Sequence, residues 1–172
     1  AYVAHTDSTV SPGTLRALVE GYQSVEPMRI GEIWALPSFL RFVLMENLRR
    51  LAVRVDRARL LRRIANGTAD RLMQKSDPAA QEALLAEYAA HAGDASFATQ
   101  LLYRLRDGSR SAGTALRWLE RELEKHGTDA EEITRTEHRT LAAGNVTTGN
   151  IIRGFRMVND VDWTEWFEEI SR

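Results

Sequence analysis

The sequence predicts an all-α protein, a multi-helix bundle of about seven or eight helices around one long central helix. Three observations carry that prediction. Apolar residues recur at three- and four-residue spacing through most of the chain. Helix-start signals such as Ser11-Pro12, Asp77-Pro78 and Asp162 with Glu165 punctuate the pattern at intervals that suit short connections. No stretch alternates apolar and polar residues for long enough to make a strand.

Taken in order, Pro12 at a first helical position opens a helix carrying Leu15, Leu18, Val19 and Tyr22, expected to end near Pro27. The densest apolar stretch is IGEIWALPSFLRFVLMENLRRLA, residues 30 to 52. Its apolar run from Ile33 to Met45 is 13 residues long and contains Pro37, Ser38 and Arg41. A membrane span needs roughly 18 to 20 apolar residues, so this stretch reads as a buried amphipathic helix. At about 100° per residue, Leu40, Leu44, Leu48, Leu51, Val55 and Ala58 make its core-facing stripe. Pro37 calls for a preceding turn or a kink near the start. The helix is expected to reach Gln74, with NGT at 66 to 68 as a candidate break.

Asp77-Pro78 starts the next helix through Leu84, Leu85 and Tyr88, and Gly93-Asp94 punctuates. A helix with Phe97, Leu101, Leu102 and Leu105 precedes DGSRSAG, and another with Leu116, Trp118, Leu119 and Leu123 precedes Gly127. Thr128 with Glu131 spells a capping box. The run AAGNVTTGN, residues 142 to 150, is expected to interrupt helix before Ile151, Ile152, Phe155 and Val158 resume the spacing. A second capping box, Asp162 with Glu165, opens a last short helix.

The 172 residues suit one domain with an ordinary core. Charges nearly cancel, 23 basic against 24 acidic for a net −1, so no global field attracts nucleic acid or anionic lipid. The absence of cysteine excludes disulfides, thiolate metal sites and a cysteine nucleophile. The opening AYVAHTDSTV lacks a charged region followed by an apolar one, so no signal peptide is expected there, and it reads like the middle of a longer chain.

Candidate chemistry is sparse, and no catalytic, cofactor-binding or metal-ligating residue is assigned. Asp160-Val161-Asp162 has the D-x-D form that can hold a divalent cation, but it lies between helical patterns, where Asp162 is accounted for as a helix cap. Arg117-Trp118 lacks the glutamine that a Q-x-x-R-W signature needs, since Thr114 stands there. The four histidines, His5, His91, His126 and His138, have no metal-ligand spacing. Eight arginines between Arg41 and Arg63, against Glu46 and Asp56, spread around the helix without forming a groove-facing row. They read as a solvated or ion-paired face rather than a nucleic-acid site, with the acidic stretch from Asp160 to Glu169 as a candidate partner.

Residues 30 to 52 also resemble the region ahead of the glycosyltransferase domain in the cyclic β-1,2-glucan synthase family. The resemblance rests on Ile30, Gly31, Glu32, Trp34, Ala35, Pro37, Leu40, Arg41 and Leu44, and on the E-N-L-R-R-L-A run from Glu46 to Ala52. A later segment of that family is similar to Gly149-Asn150, Arg156, Asp162-Trp163, Trp166, Phe167, Glu168 and Ser171, although Arg153 to Asn159 depart from it. The resemblance implies a fragment of a much larger multidomain membrane enzyme on the cytoplasmic side of a bacterial inner membrane. That enzyme would use UDP-glucose and a divalent metal held elsewhere in its chain. This segment would be a non-catalytic accessory piece whose partner is the remainder of the synthase. A stand-alone helical adaptor for a protein or membrane surface is the alternative.

Within the chain, Glu32, Trp34, Glu46, Asn47 and Arg50 are the candidate structural polar network, because polar groups on a largely apolar helix need partners if buried. Trp163, Trp166, Phe167 and Ile170 share one face of the last helix. They are the candidate interface, expected to pack partly on this chain's own core and partly on the remainder of the synthase. In isolation the same face is a route to self-association.

Overall fold

The computed structural model describes residues 2–107 and 112–170. Eight α-helices occur among them: α1 (Tyr2–His5), α2 (Pro12–Gln23), α3 (Ile30–Met73), α4 (Pro78–Ala86), α5 (Ala95–Asp107), α6 (Gly113–Lys125), α7 (Ala130–Asp160) and α8 (Trp163–Ile170). A 3-10 turn at Ala89–His91 precedes α5, and no strand is present among the described residues. Both the all-α class and the long helix are as the sequence predicts.

The helix starts follow from local chemistry. The Ser11 hydroxyl accepts the Thr14 amide at 3.2 Å, with Pro12 supplying a preset φ at the first position of α2. At α3 the Glu32 carboxylate accepts the backbone amide of Arg29 at 2.7 Å, one half of a capping box. Asp77 takes the amides of Ala79 and Ala80 at the start of α4. Asp162 does the same for Thr164 and Glu165 at α8, as its spacing predicts.

Pro37 lies inside α3 near its start, and the helix runs on both sides of it from Ile30; one ladder bond is forfeited by the missing amide, and the residue is buried. Three sequence expectations are corrected. NGT does not break α3, and the Thr68 hydroxyl donates to the Ile64 carbonyl at 2.9 Å within the helix. AAGNVTTGN does not interrupt α7, where Thr148 makes the same kind of bond to the Gly144 carbonyl at 2.8 Å. Asp129, not Thr128, caps α7, its Oδ1 accepting the amides of Glu131 and Glu132 at 2.8 Å each. Replacing Asp129 with alanine should lower stability by about 1 kcal/mol, read as a shift of the urea midpoint at constant slope.

The α6 end matches its sequence signal. Gly127 adopts φ +69°, the left-handed region, and the Thr128 amide returns to the Leu123 carbonyl at 3.1 Å. The loop expected at DGSRSAG lies largely outside the described residues.

The chain packs as two compact units, residues 1–52 with 143–172, and residues 53–142. In the first, α2 lies against α8, and the core gathers Leu15, Val19, Leu40, Leu44, Val158 and Phe167. Gly154 on α7 permits its closest approach: a Cβ there would sit 3.1 Å from both terminal methyls of Leu44. In the second, α4 and α5 pack on α6 around Leu85, Phe97, Leu101, Leu119 and Leu123. The predicted stripe on α3 is buried at Leu40, Leu44 and Leu51, whereas Leu48 and Val55 are each 41% exposed and Ala58 is half-buried. A straight 3.6-residue helix drifts away from so long a chosen stripe.

Candidate functional site

In the first unit the polar side chains converge on the turn between α1 and α2. Asp7 and Ser8 there have φ of +46° and +63°, a region that costs an ordinary L-residue free energy. The turn survives because it is held from several directions. Asn47 on α3 donates its Nδ2 to Ser8 Oγ at 3.0 Å, and the Ser8 amide reaches the Val3 carbonyl at 2.8 Å. From α7, Asn150 Nδ2 donates to the Asp7 carbonyl at 2.9 Å and the Thr147 hydroxyl donates to Asp7 Oδ1 at 2.8 Å. Arg153 in turn donates to the Asn150 carbonyl oxygen, so both ends of that buried amide are used. Ser8, Asn47 and Asn150 form a clamp that fixes the backbone of this turn.

The remaining predicted network residues are not gathered there. Glu32 sits at the start of α3 as its cap, and Trp34 lies against Phe167 with ring centroids 4.7 Å apart. Glu46 and Arg50 are brought together, at 2.8 Å, and Arg49 joins them at 2.7 Å. Hydrogen bonds from the two guanidiniums hold the Glu46 carboxyl down to about 2. Because that value is depressed, the interaction is fully present above the ordinary glutamate range and is lost as pH falls through about 2.

The four candidate interface residues share one face of α8, and that face turns inward. Trp166, Phe167 and Ile170 are buried in the core of the first unit, and Trp163 is half-buried with its indole donating to the Val158 carbonyl at 2.8 Å. The rings of Trp163, Trp166 and Phe167 stand within 6 Å of one another in tilted and edge-on pairs. Gln23 from α2 ties the end of α8 by donating to the Ile170 carbonyl, and Arg16 pairs with Glu169. The Trp166 indole nitrogen is buried without an acceptor.

The second unit holds a buried carboxylate that no motif signalled. Glu137 on α7 is 5% exposed; its Oε1 accepts Arg62 Nη2 at 2.9 Å, and both of its oxygens accept from the Ser96 hydroxyl. The available signal was position: Glu137 falls one turn after Ile133 on an otherwise inward face, where a charge needs a partner. No group of three His, Asp or Glu side chains that could hold a metal ion occurs among the described residues.

An all-helical segment whose polar side chains are engaged in holding backbone and helix ends is the class of protein this geometry defines. No protein-family model matches the chain. Over 171 residues, 99% of its length, it is 53% identical to the cyclic beta-(1,2)-glucan synthase NdvB of Rhizobium meliloti (strain 1021). The chain spans only 6% of the length of that relative. The similarity read from residues 30 to 52 and 149 to 171 therefore extends across the whole chain. No helix among the described residues is long and apolar enough to cross a membrane.

Proposed function

We propose that this chain is a non-catalytic helical accessory segment of a cyclic β-1,2-glucan synthase, one that supports or positions the catalytic part of that enzyme. The observation that carries the reading is 53% identity across 99% of the chain to a stretch amounting to 6% of such a synthase. Agreement at that level along a full helical segment preserves its packing, and a segment so small a part of its relative serves a larger machine. The interior polar groups support the same reading, because Asn47, Asn150 and Glu137 are each committed to a structural partner. UDP-glucose and the divalent metal belong, on this reading, to the remainder of the synthase. That remainder is the segment's partner, on the cytoplasmic side of the membrane.

Calorimetric titration of the chain with UDP-glucose and manganese should give no binding heat. Saturable micromolar binding that disappears in Asp162→Ala would overturn the non-catalytic reading, since Asp162 would then do more than cap α8. A complementary experiment removes the segment from the intact synthase and supplies it as a separate chain. Glucan synthesis should fall on removal and recover on addition; synthesis unaffected by the deletion would rule out a supporting role.

A further inference from the structure

Between Trp34 and Arg50 the outward side of α3 carries four large apolar side chains among the polar Ser38, Glu46 and Arg49, where a solvent-facing helix is ordinarily polar throughout. Phe42 is 70% exposed, Phe39 64%, Met45 60% and Trp34 54%. With about 100° per residue, Phe42 marks the centre of this face, with Phe39 and Met45 about 60° to either side. Arg41 and Arg50 flank it at about 100° and 80°, and Arg49 lies almost in line with Phe42. The core-facing residues Leu40 and Leu44 occupy the other side, so this second apolar face is separate from the one that folds the unit.

We infer that this face of α3 lies on an anionic phospholipid surface, with Phe39, Phe42 and Met45 entering the headgroup boundary and Arg41, Arg49 and Arg50 meeting lipid phosphates. Charge selects the occupant. From Ile33 to Ala52 the helix carries these three arginines against one acid, Glu46, whose carboxylate is taken by Arg49 and Arg50. With three arginines to one engaged acid, the face is net positive. A bilayer supplies what the face lacks: negative charge at its rim and an apolar layer for large side chains a few ångströms deeper. The length of an arginine stem lets its head stay with phosphate while neighbouring rings sink. The apolar run is too short to span, so the helix lies in the interface plane. The inference concerns where this segment sits and does not depend on the synthase reading.

Co-sedimentation of the chain with vesicles of phosphatidylcholine and phosphatidylglycerol, at low and high salt, tests it. Binding is expected to the mixed vesicles, to weaken with salt, and to be slight on phosphatidylcholine alone. The double variant Phe39→Ser/Phe42→Ser should lose more than about tenfold in affinity while keeping the wild-type helical circular dichroism, because both rings are exposed. No binding to the mixed vesicles, or equal binding by the double variant, overturns the inference. So does a dimer in sedimentation velocity that Phe42→Ser dissolves in a chain that ignores vesicles, which would assign the face to a second copy.

Discussion

Replacing Arg62 with alanine should cost about 3 kcal/mol of unfolding free energy, and Glu137→Gln should cost distinctly less, about 1 to 2. The asymmetry follows from burial. The Arg62 side chain is 30% exposed, whereas that of Glu137 is 7% exposed. Losing the arginine leaves a carboxylate inside the second unit with the Ser96 hydroxyl as its remaining hydrogen-bond partner among the described residues. Losing the carboxylate's charge leaves a guanidinium that can turn towards water, while the glutamine oxygen still accepts from Ser96. Urea unfolding of the two variants at neutral pH decides the matter. Equal costs would mean that the pair is solvated more evenly than its geometry indicates, and a neutral Arg62→Ala would remove it as a stabilising element.

The same pair illustrates what is legible in the sequence and what is not. Helix starts at Ser11, Asp77 and Asp162 are legible because their side chains cap amides two or three residues away, an interaction wholly local in sequence. The interruptions expected at NGT and AAGNVTTGN do not occur because glycine and asparagine lower helix propensity by amounts that long-range packing overrides. Gly154 makes the point concretely: its missing side chain admits the methyls of Leu44, a reason invisible without knowing that α3 and α7 meet there. Glu137 and Arg62 are 75 residues apart, and nothing in either neighbourhood names the other.

The candidate site is legible to a similar depth. Asn47 stands out as an amide beside an apolar stripe, but its partner Ser8 lies 39 residues earlier in a turn that apolar periodicity does not mark. The string HTDST contains the residue types that tolerate tight turns and bond their own backbone, so a turn signal exists there. The aromatic repeat on α8 identifies one face correctly, and three of its four members are buried. What the repeat cannot tell is whether the cover comes from this chain, because a period identifies a face and not its neighbour. On α3 the reverse holds: Phe39, Phe42 and Met45 blend into one apolar run, and only burial separates the inward residues from the outward ones.

The clamp at Asp7 and Ser8 gives the second large effect. Asn150→Ala should destabilise the first unit by about 2 kcal/mol, because it removes a buried amide that satisfies the Asp7 carbonyl and leaves Arg153 without its acceptor. Asn47→Leu should cost about 1 kcal/mol, since Asn47 is half-buried and makes one bond, to the Ser8 hydroxyl. Both asparagines hold a backbone with two consecutive positive φ values, so their contributions are not independent. Once Asn150 is gone the turn can relax out of the left-handed region, and the bond from Asn47 then has less to hold. Asn47→Leu in the Asn150→Ala background should therefore cost less than it does alone. Urea unfolding of the two single variants and the double variant measures the coupling directly. Strictly additive costs would separate the two bonds energetically, and an Asn150→Ala variant as stable as the parent would show that the turn stands without its clamp.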